Sequence, residues 1–349
     1  MSVKRILRGV AAAFVACVAG GPAMAEQTFD FCEVGRASCV DQANRGRIGL
    51  ISGSASGTYI KVADDIRRAV ATGSFNEDLR VLPMVGLGSV KNIEDMLYLQ
   101  NTDVGLVQAD VLELFRRVNA ATGRYGDVLE RIRYLAPVYN EEIHVICRRG
   151  ACGQFFGDVT DDVVLNLGSR NSGTALTAQI ISVQLGFSEE NFRFFAPRDA
   201  LAFLKDPEGA GENRIDGMIY VAGKPVSLLQ EIEADDGLEL VELSSQPQGL
   251  EVYVPGVIEE NDGYSGLLGS RAFVRTLAVP AVLAVYGGTY RHPERRKNLE
   301  LFCRALVEKA PELRSEAGKR YHPKWNGWDP AKTVAGWSRH ELMDEALKP

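Results

Sequence analysis

Two short stretches concentrate the polar groups that could meet a small ligand. Gly53-Ser54-Ala55-Ser56-Gly57-Thr58-Tyr59 lies between an apolar run and a segment of helical spacing. Its glycines let backbone approach a ligand, Ser54, Ser56 and Thr58 supply hydroxyls, and N–H groups at a helix start favour an anion. Gly168-Ser169-Arg170-Asn171-Ser172-Gly173-Thr174 repeats the layout further along. There Ser172 can cap the helix that follows. Arg170 is a candidate charge partner for a carboxylate, although a solvated arginine has the same signature. Either loop alone also fits an ordinary polar turn. Two of them, in separate parts of the chain, are what a cleft gripping a carboxylate from both sides requires. Between them, Gly86-Leu87-Gly88-Ser89-Val90-Lys91-Asn92 opens another helix with Ser89 as its N-cap, and Gln108 ends a strand where open sheets hold ligands. Asp110, two residues on, reads as the N-cap of the next helix.

The inventory for catalysis is thin. No lysine follows the glycines as a phosphate-binding P-loop needs, and there is no G-x-G-x-x-G. The middle residue of Gly53–Gly57 is Ala55, where a hydrolase elbow needs serine. Glu141 and Glu142 are adjacent and point apart, so their spacing makes no acid/base pair. Of His144, His292, His322 and His340, the last three fall in a C-terminal helical region and read as surface residues. The reading is a binding protein with no catalytic residue, no metal and no cofactor.

The elements that must position these loops alternate. Residues 47–53, 79–84 and 104–107 read as strands, and 58–71, 89–99 and 110–119 as helices. Two strands follow, 132–138 and 143–148, separated by Tyr139-Asn140-Glu141-Glu142. A second series runs through strands 163–167, 192–195, 215–221 and 238–243 with helices 172–185, 199–204 and 225–233. Strands 273–277 and 281–286 and a helix over 293–309 complete the chain, with the remainder helical. Alternation of this kind implies largely parallel sheets with helices on their faces. The two series predict an α/β fold of two lobes with a ligand cleft between them. The chain crosses near Tyr139 and again near residues 245–248. Lobe 1 is then 47–138 with 247–349, and lobe 2 is 139–246. Trp325, Trp328 and Trp337 suggest a terminal helix docked on one lobe.

Composition sets the compartment. Lys4, Arg5 and Arg8 precede an apolar run that ends in Ala23-Met24-Ala25. This is the layout of a secretory signal over residues 1–25, with lipid attachment at Cys17 as the alternative. Residues 26–46 read as an irregular arm. After removal of the signal, 36 basic residues face 46 acidic ones, which argues against nucleic acid. In an oxidising compartment Cys32–Cys39 and Cys147–Cys152 are reasonable disulfides, leaving Cys303 buried in its helix. The expected location is the periplasm and the expected state a monomer.

An ordered set of motifs carries a family resemblance over residues 47–310. It comprises Gly57-Thr58-Tyr59, Gly88-Ser89 with Asn92, Asp103-Val104-Gly105-Leu106-Val107-Gln108-Ala109-Asp110, Leu135-Ala136-Pro137-Val138-Tyr139 with His144, Ser172-Gly173-Thr174, Ile215-Asp216-Gly217 and Thr276-Leu277-Ala278-Val279-Pro280-Ala281. On these residues the chain resembles the TAXI family, extracytoplasmic solute receptors associated with TRAP transporters and a branch of the type II periplasmic binding proteins. The resemblance implies a small carboxylated solute, such as glutamate, glutamine or a dicarboxylate, and a TRAP-type membrane permease as partner. It adds Tyr59, Asn92 and Tyr139 to the candidate ligand set of Ser56, Gly57, Thr58, Ser89, Gln108, Arg170, Ser172, Gly173 and Thr174. A periplasmic sensor that presents its closed form to a signalling receptor is the alternative function.

Overall fold

A computed structural model describes residues 37–55, 57–72, 75, 79–158, 162–244, 251–287 and 293–349. The expected signal, Cys17, Cys32 and its pairing with Cys39, Ser56, His292 and the crossing at 245–248 lie outside the described residues. The chain forms two compact units. One ends at Asn44 and contains the helix Ala37–Asn44; the other runs from Arg45 to Pro349. Within the expected irregular arm, the described part is therefore helical.

The larger unit is mixed α/β, a central sheet flanked by helices. Its strands are β1 (Arg47–Ile51), β2 (Arg80–Met84), β3 (Val104–Gln108), β4 (Ile132–Arg148), β5 (Leu165–Asn166), β6 (Phe192–Arg193), β7 (Gly217–Ala222), β8 (Leu238–Leu240), β9 (Val254–Glu259) and β10 (Phe273–Tyr286). Eight of them lie in the order β2-β1-β3-β10-β4-β7-β5-β6, with β8 beside β4 and β9 beside β10. The pairs β1–β2, β1–β3, β5–β6 and β5–β7 are parallel, as the alternating sequence predicts. Every pair made by β4 or β10 is antiparallel.

These two strands correct the sequence reading most. Residues 132–138 and 143–148 are one strand, as are 273–277 and 281–286. Tyr139–Glu142 does not break β4 because its polar side chains find partners: Glu141 accepts from Tyr59 and Glu142 from Lys324. Pro280, which cannot donate to a ladder, sits opposite Asn140 beside a register shift at Ala281/Val282, so β10 absorbs it. Each long strand changes partners along its length. Residues 281–285 of β10 pair with β3 and 273–278 with β9.

The core follows the same division. Adjacent residues of one strand enter different clusters: Leu50 packs with Val62, Ile66 and Phe302, while Ile51 packs with Ile93 and Val107. Beyond the middle of β4, Val145 packs with Leu165 and Ile181, and Ile146 with Leu204 and Leu229. Ile258, Tyr264, Leu267 and Val274 join this second group. Packing changes sides within β10, between Val279 and Ala281.

Smaller differences have local causes. The helix expected over 225–233 is one turn, Ser227–Gln230, and the helix from Pro293 continues to Ser315. The tail is mostly turns up to the helix Glu341–Ala346. Trp325 and Trp328 are buried in the Leu50 cluster and Trp337 in the Ile51 cluster. Their docking is specific: the indole N–H of Trp325 donates to Asp65 (2.9 Å) and that of Trp328 to the Pro137 carbonyl (2.8 Å). His322 is half-buried and His340 buried; each ring accepts a backbone N–H at the start of the turn or helix that follows it. Burial lowers the His322 ring to about 4. Cys147 and Cys152 form a disulfide, and Cys303 is a buried thiol pushed up to about 12 by burial. Among the described residues no helix is long and apolar enough to cross a membrane.

Candidate functional site

Four helices of ten or more residues begin around one cavity. Thr58–Val70 starts after the β1 loop, Ser89–Tyr98 after β2, Ala109–Thr122 directly after β3, and Gly173–Gln184 after β5. Strand ends deliver these starts to one edge because β1, β2, β3 and β5 are mutually parallel within their groups. The cavity has a volume of about 100 Å³. Gly57, Thr58 and Ser89 face it from the β1–β3 end of the sheet, and Ser172, Gly173 and Thr174 from the other end. Backbone N–H groups at the helix starts favour negative charge there, less so at the helix after β3, whose first turn holds Asp110, and at the helix after β5, where Ser172 takes up the Ala175 N–H. Among the described residues no lysine, arginine or histidine lines it.

The hydroxyls do different work. Thr58 Oγ1 donates to the Gly223 carbonyl (2.8 Å), a contact between the two ends of the sheet. Ser89 is not an N-cap. Its hydroxyl accepts from the Gln108 backbone N–H (2.9 Å) and donates to Gln108 Oε1 (3.2 Å), while buried Gln108 Nε2 has no partner among the described residues. Ser172 does cap its helix, accepting from the Ala175 N–H (3.0 Å). Thr174 Oγ1 exchanges long hydrogen bonds with Val221 N–H (3.3 Å) and carbonyl (3.4 Å). Asp110 is not an N-cap either. It accepts from Thr177 (2.5 Å) and Tyr253 (2.8 Å), joining the helix after β3 to the helix after β5. Burial raises its carboxyl from the ordinary range, and those two hydrogen bonds oppose the rise.

Three expected ligand residues stand elsewhere. Arg170 is exposed, with its guanidinium 4.2 Å from the Phe194 ring centroid and outside the cavity wall. Asn92 is fully buried and donates to the Ser52 and Leu106 carbonyls (2.6 and 2.7 Å), which fastens the ends of β1 and β3. Tyr139 lies behind Tyr59, ring centroids 6.5 Å apart, and is not part of the wall.

Sequence reasoning passed over Glu141 and Tyr220, both of which line the cavity. Glu141 is 4 % exposed and receives the Tyr59 hydroxyl at 2.7 Å. Burial, with Asp110 and Glu142 nearby, holds its carboxyl well above the usual carboxylate range, against the Tyr59 hydrogen bond. Burial likewise pushes Tyr220 up to about 12. The available signal was an acid between two mainly apolar runs, Leu135–Val138 and Ile143–Cys147. Glu142, its neighbour, turns away to Lys324 (2.5 Å) and to the Lys224 backbone N–H (3.1 Å), as strand alternation requires. His144 is buried with Nδ1 3.1 Å from the Tyr220 carbonyl, and burial lowers it to about 4, so it is neutral.

Several solved structures are similar in backbone course. One is the alkanesulfonate-binding protein SsuA from Xanthomonas axonopodis pv. citri bound to MOPS, at 12 % identity and TM-score 0.44, covering 86 % of this chain and 83 % of that one. Another is the zinc-bound ligand-binding component of an ABC-type import system from Staphylococcus aureus, at 11 % identity and TM-score 0.45, over 86 % and 82 % of the two chains. A third is a mutant of ArgBP from T. maritima, at 12 % identity and TM-score 0.46, over 83 % and 97 %. By sequence, the NMT1-like family matches residues 50–290, and the chain belongs to that family.

Proposed function

We propose that this chain is a periplasmic solute-binding receptor that closes around a small carboxylated solute and delivers it to a TRAP-type membrane permease, without catalysing a reaction. One observation carries the reading: four helix N-termini from both ends of the sheet converge on a cavity that no basic side chain lines among the described residues. Such a site recognises an anion through backbone N–H groups and hydroxyls. Similar proteins whose names state an import or solute-binding role support a receptor over an enzyme. The glutamate, glutamine or dicarboxylate class rests on the motif resemblance of residues 47–310.

The lobes of the receptor are the two groups of clusters, joined at Tyr139–Glu142 of β4 and Val279–Ala281 of β10. The arrangement described is a closed one, held by Thr58–Gly223, Thr177–Asp110 and Lys61–Ser227 (2.7 Å). Solute that touches Thr58 and Ser172 together favours this form over an open one, and a permease that reads the closed surface thereby senses occupancy. The test is a thermal-shift screen with L-glutamate, L-glutamine, 2-oxoglutarate and succinate, followed by solution scattering with the best binder. A raised melting temperature with a smaller radius of gyration is expected. Binding with no change in compaction overturns the closing mechanism.

A further inference from the structure

Glu141 is a buried carboxyl in the wall of a cavity that offers anions only backbone N–H groups and hydroxyls. Its single side-chain hydrogen bond among the described residues comes from Tyr59. The titratable groups around it come from every element packed there. Tyr59 is on the helix after β1, Asp110 on the helix after β3, Tyr220 on β7, and Tyr139 and Glu142 on β4 itself. His144, further along β4, is neutral. All of these are acids or neutral. Among the described residues the cation that acts on it is Lys324, which is already committed to Glu142 Oε1 (2.5 Å) and the Asn140 carbonyl (2.8 Å). An empty closed cavity therefore leaves Glu141 with no counter-charge, and an uncompensated carboxylate at such a depth takes a proton instead.

We propose that Glu141 is the residue that selects a cationic nitrogen on the solute, and that the solute's ammonium group takes the place of the Glu141 proton on binding. The inference rests on the receptor reading above and narrows it: the helix starts hold a carboxylate while Glu141 holds an ammonium, so the site takes solutes that carry an ammonium group and refuses dicarboxylates that lack one. The exchange balances. A protonated carboxyl and a free ammonium solute become an ammonium–carboxylate pair, and one proton leaves to the buffer. Affinity consequently rises with pH while unliganded Glu141 is protonated, and levels off once it ionises without ligand. A dicarboxylate without an ammonium group does the reverse, because its second carboxylate faces Glu141 and needs it protonated.

Calorimetry with three matched pairs tests this: L-alanine and pyruvate, L-glutamate and 2-oxoglutarate, L-leucine and 4-methyl-2-oxopentanoate. Each is measured at pH 6 and pH 8, in phosphate and in imidazole, whose ionisation enthalpies differ enough to count protons. The expected result is that the amino member of a pair binds at least tenfold tighter than its keto partner. It should also release a proton at pH 6 and bind more tightly at pH 8. Glu141→Gln, which keeps the shape and the Tyr59 hydrogen bond, should bring the two members of that pair within about threefold. Equal binding of amino and keto members, or zero proton release by the wild-type protein, overturns the role of Glu141 and leaves the receptor reading standing. Retention of the preference in a Glu141→Gln protein that melts normally also overturns it. No binding by any of the six overturns the carboxylate reading and this inference with it.

Discussion

Gly57 and Gly173 stand at equivalent places, each where a Gly/Ser-rich loop turns into a helix at the cavity wall, and their surroundings differ. A Cβ on Gly57 would sit 3.2 Å from Ser54 Oγ and 3.4 Å from the Ser54 carbonyl, both in its own turn. A Cβ on Gly173 would sit 1.5 Å from Gln108 Oε1 and 2.8 Å from Ser89 Oγ, both at the other end of the sheet. The first glycine serves the turn that contains it. The second serves closure, because it leaves room for Gln108 only when the two ends meet. Two loops with one sequence pattern therefore divide the labour, and the hydroxyls do the same: Thr58 reaches across to Gly223 while Thr174 stays with Val221.

The largest expected effect is at Gly173. Gly173→Ala should weaken solute binding by about 100-fold, equivalent to about 2.7 kcal/mol, because the methyl group prevents full closure. The open form gains slightly, since alanine is the better helix former by about 1 kcal/mol. The melting temperature without solute should therefore not fall. Calorimetry beside a thermal melt checks this, and a large loss of stability with unchanged affinity would make the glycine a folding requirement instead. Thr58→Val, which keeps the shape and removes the hydroxyl, should weaken binding about tenfold, the value of one lost hydrogen bond of about 1.4 kcal/mol. Scattering should show a larger mean radius of gyration for this variant under sub-saturating solute. The smallest effect belongs to Gly57→Ala, for which affinity within about twofold of the original is expected, since 3.2–3.4 Å contacts in one flexible turn relax for about 0.4 kcal/mol. If Gly57→Ala proved as damaging as Gly173→Ala, the contrast between the two loops would be lost.

The local elements were legible because their periodicities are local. Ile60, Ala63, Ile66 and Val70 mark one face of a helix whatever lies opposite, and Thr58–Val70 forms as expected. The Ser172 cap was readable for the same reason, since its partner is Ala175, three residues away. Arg170 and Asn92 were not. A charge or amide next to a glycine-rich loop looks like a ligand group until the distant atoms that occupy it are known: Phe194 for one, Ser52 and Leu106 for the other.

What the sequence by itself determined is the alternation of strands and helices, the parallel pairing within each group, the two polar loops and the pairing of Cys147 with Cys152. Each follows from residues within a few positions of one another. Tertiary structure alone decided that β4 and β10 run unbroken between the two groups, that packing changes sides at Val279–Ala281, and that Glu141 rather than Arg170 faces the cavity. A polar tetrapeptide in mid-strand breaks the strand unless its charges are met. Here Tyr59 lies 82 residues before its partner Glu141, and Lys324 lies 182 residues after Glu142. Contacts at that separation leave no spacing to read, so whether Glu141 was a solvated break or a buried acid depended on how the chain returned to it.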